Sequence, residues 1–157
     1  LAAYAPEKLF GGVGAFPLLK ATLLEIERLF PAAPVLARVV AETFEFAGYA
    51  LPPGTKVLHL QTLPHFLEEI YAEPHRFDPV RWIDREYPKK SQGSFGGSTH
   101  LCLGINLARL HLPVLLGNLL RDYEVRLGEH PRISVNVNYG VPQVADLTAA
   151  FFPRPPA

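Results

Sequence analysis

The 157-residue sequence contains one cysteine, no methionine and no excess of charge of either sign. A single cysteine excludes an internal disulfide, a four-thiolate zinc site and an iron–sulfur cluster, because each of these needs several sulfur atoms. It leaves a free thiol, a nucleophile or a ligand that contributes one thiolate. Because the chain has no methionine and begins with Leu1, we expect a fragment, a processed product or one part of a longer chain.

The basic residues form no cluster, and 15 lysines and arginines are balanced by 15 aspartates and glutamates. The sequence therefore lacks the positive stripe by which proteins follow a phosphate backbone, which excludes nucleic acid as a partner. No apolar run approaches the ~18 residues needed to cross a bilayer, and no targeting signal is visible. A hydrophobic content of 48% and this length favour one packed globular domain.

Apolar periodicity and the positions of proline and glycine predict an α+β fold. The first helix is expected to stop at Pro31 and Pro34, and Pro53-Gly54 supplies turn chemistry between strands. The predicted elements, in chain order, are a helix over 16–30, hairpin strands within 35–60, one or two helical turns within 65–72, an ordered meander over 73–94, a helix over 105–123, and strands over 123–127, 133–139 and 147–152.

The strongest chemical signal is a glycine-rich loop that carries the cysteine to the start of the second helix. Its sequence is Phe95-Gly96-Gly97-Ser98-Thr99-His100-Leu101-Cys102-Leu103-Gly104. Amides at a helix N-terminus stabilise a thiolate, and glycines let the backbone bend beneath a flat cofactor. By composition alone, an inert buried cysteine is the favoured interpretation, since free cysteine usually behaves as a small apolar residue. A nucleophilic Cys102–His100 pair is disfavoured, because no orienting group or oxyanion motif accompanies it.

Taken with its surroundings, this loop resembles the haem-ligand signature of the cytochromes P450. Phe95, Cys102 and Gly104 hold the spacing of that signature, and Ser98 stands where the family usually has glycine. The resemblance implies that Cys102 is the axial iron ligand of haem b, and that Arg38 and His100 face the haem propionates. The cofactor-binding residues that it implies are Cys102, Phe95, Gly96, His100, Arg38, Gly104 and Ala108.

Two further motifs resemble the structural network of the same family. Glu25 and Arg28 match the Glu-x-x-Arg pair of the family's K helix, and a spacing of three places both side chains on one helical face. Arg81, within the segment Phe77-Asp78-Pro79-Val80-Arg81-Trp82, matches the meander arginine that completes a buried Glu–Arg–Arg network. Such a network is structural, because removal of one partner leaves a buried charge unpaired at a cost of ~3–5 kcal/mol.

Weaker resemblances fill the rest of the chain. Residues 34–38 and 48–55 are similar to the family's first sheet. His65 and Tyr71 fit a segment that usually reads His-Arg-Asp-Pro, although other residues replace its last three positions. The C-terminal strands resemble the hairpin whose tip, near Val141–Val144, points into the substrate pocket.

The resemblance implies that residues 1–157 are the C-terminal part of a single P450 domain: K helix, small sheets, meander, ligand loop, L helix and C-terminal hairpin. The family's long I helix lies upstream of the K helix, and residues 1–15 have neither its length nor its residues. We therefore expect activity to need a missing N-terminal portion or a companion chain. A cytoplasmic location is expected, with any membrane anchor upstream.

The implied function is that of a haem-thiolate monooxygenase, an oxidoreductase that inserts one oxygen atom from O2 into a small organic substrate with electrons from a redox partner. Two alternatives stay open. The first is a non-catalytic haem-binding or partner-binding module, which Ser98 and the altered segment after His65 favour. The second is a peroxide-rearranging P450 relative, although no insertion of the plant type separates Phe95 from Cys102.

Overall fold

A computed structural model describes residues 16–83, 85–88, 91–128, 134–138, 141–145 and 147–155. Within these ranges α1 spans Pro17–Leu29 and α2 spans Ile105–Asp122. Pro17 occupies the first turn of α1, where its missing N–H leaves no hydrogen bond unmade, and the helix ends two residues before Pro31. Both helices agree with the sequence prediction to within one residue at each end. The mixed α+β class is confirmed.

The strands between the helices form two nested antiparallel pairs. Strand β1 (Leu36–Val39) pairs with β4 (Lys56–His59), and β2 (Phe44–Phe46) pairs with β3 (Tyr49–Leu51) inside them. The β2–β3 turn consists of two residues with positive φ, Ala47 at 51° and Gly48 at 82°. A two-residue hairpin turn with positive φ at both positions matches the right-handed twist of its strands. The hairpin strands expected within 35–60 are therefore confirmed.

The chain after α2 forms a second nested set. Strand β5 (Tyr123–Leu127) pairs with β8 (Ala149–Pro153), and β6 (Ser134–Asn138) pairs with β7 (Val141–Ala145). The residues expected at the hairpin tip, 141–144, lie instead in strand β7, so that prediction was wrong. Asn138 pairs with Val141, and positions 139–140 between them lie outside the described residues. Valines at 141 and 144 favour extended backbone over a turn, which explains the difference.

The chain between β4 and α2 is mostly irregular but ordered by hydrogen bonds. Its short 3₁₀ turns are Leu63–Phe66, Pro79–Trp82 and Ser98–His100. The helical turns predicted within 65–72 are only partly present, because Leu67 is extended and ends the first turn. The Tyr71 N–H then donates to the Leu67 carbonyl at 2.9 Å. The meander predicted over 73–94 has the expected irregular backbone in its described part.

The interior of the described chain is unusually polar. Its largest fully enclosed side chains are Arg28, Tyr71, His65 and Glu25. In contrast, α2 buries only Pro113, and several of its leucines are exposed. No helix in the described ranges combines the length and the apolar character needed to cross a membrane. The polar interior joins α1 to the meander, and α2 presents an open apolar surface.

Candidate functional site

The cysteine loop is closed by its own backbone. The Gly96 N–H donates to the Gly93 carbonyl at 3.0 Å, and the Cys102 N–H donates to the Phe95 carbonyl at 2.9 Å. Gly96 has a φ of 73°, and a Cβ at this position would lie 2.8 Å from the His100 carbonyl oxygen. Only glycine fits this position without displacing the backbone of the loop. The predicted residues Phe95, Gly96, His100 and Cys102 thus share one compact loop.

Ser98 adopts the backbone conformation that a glycine would favour. Its φ is 53°, in the left-handed region where an L-residue with a Cβ is strained by roughly 1–2 kcal/mol. It begins the 3₁₀ turn Ser98–His100 that leads to the cysteine. A serine in place of glycine therefore adds strain at this position, while its backbone keeps a conformation that glycine also adopts.

Cys102 stands exposed just before α2. The Ile105 N–H donates to the Cys102 carbonyl at 3.3 Å, and Gly104 caps the helix while its carbonyl accepts the Ala108 N–H at 2.8 Å. A Cβ on Gly104 would lie 3.8 Å from the Cys102 sulfur, an ordinary van der Waals contact, so the two residues are close neighbours. Leu103, the neighbour of the cysteine, is fully exposed. The sulfur is therefore presented at a surface whose flanking side chains are apolar.

This arrangement fits an iron porphyrin. The described residues contain no group of three or more histidine, cysteine or acidic side chains able to hold a metal ion. A metal bound at Cys102 would thus have to bring most of its own ligands, as the iron of a porphyrin does. A flat apolar macrocycle also matches the exposed Leu101 and Leu103 on either side of the sulfur. The donor set and the surface agree with one thiolate ligand beneath a haem.

The two side chains expected to face haem propionates differ in position. His100 is exposed in the cysteine loop, whereas Arg38 is half-buried on β1, where its Nη1 donates to the Ala37 carbonyl at 2.9 Å. Among the described residues, no carboxylate forms an ion pair with either side chain. Both remain available to an external anion, and Ala108 lies one turn inside α2.

The Glu25 carboxylate of α1 is the centre of a buried cluster. Arg28 binds it with two hydrogen bonds, from Nε to Oε2 at 2.9 Å and from Nη2 to Oε1 at 2.8 Å. Arg81 adds a bond from Nε to Oε1 at 3.1 Å, and the Asp78 N–H donates to the same oxygen at 2.9 Å. Burial by itself would raise the pKa of Glu25, but the hydrogen bonds from Arg28, the Asp78 amide and Trp82, together with the charge of Arg28, lower it to about 2. The structure therefore brings together the three residues assigned to the network.

Arg28 uses all of its guanidinium protons inside the protein. Beyond its bonds to Glu25, its Nη1 donates to the carbonyls of His65 and Pro74, and its Nη2 donates to the Arg76 carbonyl. Five N–H donors thus meet five acceptor contacts, which is the condition under which a buried guanidinium is stable. The cluster fixes the meander against α1 and acts structurally.

Two aromatic members of this cluster were not expected from the sequence. The Trp82 Nε1 donates to Glu25 Oε2 at 2.8 Å, and the Arg28 guanidinium lies 5.2 Å from the centre of the Tyr71 ring. Tyr71 also stacks on Tyr87 with ring centres 4.5 Å apart. The available signal was that the chain's single tryptophan directly follows Arg81. A tryptophan beside a buried arginine has an N–H that also needs an acceptor.

Comparison with known proteins gives one consistent result. The cytochrome P450 family model matches residues 13–143. A cytochrome P450 monooxygenase, hkm5, of Aspergillus hancockii is 30% identical over 149 residues, covering 83% of this chain and 29% of the relative. A putative cytochrome P450 135B1 of Mycobacterium bovis is 34% identical over 119 residues, covering 73% of this chain and 25% of the relative. The chain thus spans less than a third of the length of these relatives.

Solved structures show the same similarity in the fold. The structure of a zebra fish cytochrome P450 with progesterone superposes with a TM-score of 0.80 at 26% identity, covering 92% of this chain and 33% of that one. A retinoic acid-bound cyanobacterial CYP120A1 gives a TM-score of 0.79 at 24% identity, covering 90% of this chain and 34% of that one. Each match covers most of this chain and about a third of the solved structure.

Proposed function

Because the chain belongs to the cytochrome P450 family, we propose that it is the C-terminal part of a P450 monooxygenase domain, with Cys102 as the axial ligand of haem b iron. The observation that carries this proposal is the exposed Cys102 sulfur, held by a closed glycine loop between two exposed leucines. An inert structural cysteine would be buried among apolar neighbours.

Each residue of the site has a defined task in this proposal. Bound at Cys102, haem supplies the redox chemistry by which one oxygen atom of O2 enters an organic substrate and the other leaves as water. The Cys102 thiolate would hold the iron and donate electron density to it. Gly96 and Gly104 let the backbone approach the ring, while Arg38 and His100 neutralise its propionates. Leu101 and Leu103 exclude water from the sulfur.

We propose that the activity needs residues beyond those of this chain, and that an N-terminal portion or a companion chain supplies them. Helix α2 leaves Leu107 and Leu115 more than half exposed, and the relatives are over three times as long as the matched region. Soluble proteins rarely leave such an apolar surface uncovered. That missing portion would complete the haem pocket and bind a small organic substrate, and a redox partner would supply electrons.

Among the alternatives, the idle haem-binding module loses one of its supports. Ser98, which favoured that module, has a left-handed φ of 53°, a backbone conformation that glycine also adopts, so the serine is compatible with a glycine-type loop. We therefore place the monooxygenase first. Oxidation of an organic substrate by the completed, electron-supplied protein distinguishes the two functions, because an idle module would bind haem without turnover.

The deciding experiment is the absorption spectrum of the haem-reconstituted protein after reduction with dithionite and addition of CO. It is recorded for this chain alone and for the full-length protein that contains it, beside the variants Cys102→Ser and Thr99→Ala. We expect a strongly red-shifted Soret band that Cys102→Ser abolishes. Thr99→Ala, an exposed neighbour in the same loop, should leave the band unchanged.

Two outcomes separate the parts of the proposal. A red-shifted band only in the full-length protein would support thiolate ligation and show that this chain cannot form the haem site alone. A red-shifted band that persists in Cys102→Ser, or its absence from every form, would overturn the assignment of Cys102 as the iron ligand.

A further inference from the structure

The last carbonyls of α1 are capped by two side chains that come from distant segments. Helix C-termini leave up to four carbonyls without partners inside the helix. Here the Ser94 hydroxyl donates to the Glu27 carbonyl at 2.8 Å, and the His65 Nδ1 lies 2.8 Å from the Arg28 carbonyl. Both donors belong to the region that leads to the cysteine loop, so the end of α1 is tied to that loop.

The partners of His65 define its protonation state. A carbonyl only accepts a hydrogen bond, so Nδ1 must carry a proton towards the Arg28 carbonyl. The Gly93 N–H only donates, so Nε2, 3.0 Å away, must accept and carry no proton. His65 is only 1% exposed, so both ring nitrogens are enclosed with these partners. His65 is thus held as the neutral Nδ1–H tautomer.

Gly93 transmits this contact to the cysteine. Its carbonyl accepts the Gly96 N–H at 3.0 Å, and the carbonyl of Phe95, between these two glycines, accepts the Cys102 N–H at 2.9 Å. A Cβ on Gly93 would lie 2.0 Å from the Gln61 carbonyl oxygen, so the backbone at Gly93 is wedged against another segment. Gly93 therefore cannot move towards Gln61. If His65 pushes Gly93 away, the turn that precedes Cys102 must move with it.

Burial and the positive charge of Arg28 favour the neutral form of His65. The Arg28 guanidinium donates to the His65 carbonyl, the Tyr71 ring meets the imidazole edge-on with centres 6.4 Å apart, and Glu27 lines the small cavity beside it. Burial lowers the pKa of His65, and the positive charge of Arg28 lowers it further, against an opposing contribution from the hydrogen bond to the Arg28 carbonyl. Protonation would turn Nε2 into a second donor facing the Gly93 N–H.

We propose that neutral His65 is the positioning residue of the cysteine loop, and that its protonation displaces the loop from the geometry in which Cys102 binds iron. The inference rests on the proposed function only in its second half. Because the folded-state pKa of His65 is lowered, the contribution of the neutral ring to stability is complete above pH ~6.5 and is lost as the pH falls below that value.

The first test requires no haem. Nitrogen-15 NMR of the histidine-labelled protein, with His65→Gln to assign the signal, reports which ring nitrogen of His65 carries the proton and at what pH the ring titrates. We expect the Nδ1–H tautomer and a midpoint below 6.5, together with a shift of the Gly93 amide resonance at the same pH. An Nε2–H tautomer, or a midpoint at or above 6.5, would overturn the positioning role.

The second test follows the thiolate-type Soret band of the haem-loaded protein against pH. Wild type is compared with His65→Gln, whose amide retains one donor and one acceptor but does not titrate, and with His75→Gln, which removes an exposed histidine stacked on Phe66. We expect reversible loss of the band in wild type and in His75→Gln with the midpoint found by NMR. In His65→Gln that midpoint should fall by at least about one pH unit.

The outcomes distinguish failure of this inference from failure of the proposed function. An unchanged acid midpoint in His65→Gln would overturn the inference while leaving Cys102 as the ligand. If no form of the protein shows the thiolate band, the proposed function fails, and the NMR tautomer still decides whether His65 holds the loop. If His65→Gln does not fold, the wild-type comparison of the NMR and Soret midpoints decides the matter, because unequal midpoints contradict the coupling.

Discussion

The Glu25 carboxylate and the Cys102 sulfur lie in two regions that are built in opposite ways. Glu25 is fully enclosed, and its two oxygens accept five hydrogen bonds from Arg28, Arg81, Trp82 and the Asp78 amide. Cys102 is exposed, and its loop is held by backbone bonds that leave the sulfur facing outward. The carboxylate of the first region has its hydrogen-bond partners within the protein, whereas the sulfur of the second region is left for a ligand to bind.

This contrast predicts where substitutions are costly for the fold. The enclosed cluster should dominate stability, because any lost partner leaves a charge buried without compensation. The open loop should matter little to stability and much to cofactor binding. Substitutions in the two regions test that division.

Glu25→Gln should lower the free energy of unfolding by roughly 3–5 kcal/mol, because it leaves the Arg28 and Arg81 charges buried without a counter-ion. The matched control is Glu73→Gln, which breaks an Arg76–Glu73 pair of the same i, i+3 spacing whose side chains are 63% and 70% exposed. The control should cost less than ~1 kcal/mol. Urea unfolding followed by circular dichroism measures both, and equal losses would contradict the contrast.

Acid should destabilise the enclosed cluster in a defined range of pH. The pKa of Glu25 falls from an ordinary 4.5 to about 2, so its contribution is complete above pH 4.5 and is lost as the pH falls towards 2. The loss should be on the order of 3 kcal/mol. Urea unfolding at pH 5, 4 and 3 measures it. The same series on Glu25→Gln should show a shallower slope, and identical slopes would assign the acid sensitivity to other carboxylates.

Within the loop, Gly96→Ala should cost roughly 2 kcal/mol, because alanine is strained at a φ of 73° and its Cβ would meet the His100 carbonyl. Gly97→Ala should change stability by less than ~0.5 kcal/mol, since Gly97 is extended and its added Cβ would meet open space. Thermal unfolding compares the two variants, and the thiolate Soret band reports the loop directly. If Gly96→Ala lost little stability, the loop would lack the positive φ and the close contact with His100 that this prediction assumes.

The smallest effect is expected from Ser98→Gly. Relief of left-handed strain should raise stability by about 0.5 kcal/mol, after part of the gain is lost to the greater freedom of glycine in the unfolded chain. Thr99→Gly, at a neighbour without positive φ, should instead lower it. Differential scanning calorimetry detects both changes, and a loss of stability in Ser98→Gly would show that the serine side chain contributes favourably.

The two helices could be predicted because the residues that indicate each of them lie within one short segment of the sequence. The apolar period and flanking prolines located α1, and the apolar run after the cysteine located α2 in spite of Pro113. Strand β7 was missed because its Val-Pro-Gln-Val-Ala sequence contains a proline and follows a glycine, which favour a turn until a partner strand is known. Strand pairing is not visible in a single segment, so the hairpin tip was misplaced.

The sequence by itself determined the residue types and spacings: a lone cysteine in a glycine loop, a Glu-x-x-Arg pair on one helical face, and an arginine in the meander. Only the tertiary structure decided that Trp82 reaches Glu25 across 57 positions, and that His65 bridges the Arg28 carbonyl to Gly93. Spacing fixes which side chains share a helical face, because the helix has a regular period. The partners of a buried polar group come from segments far apart in the chain, and only the packing of those segments brings them within hydrogen-bond distance.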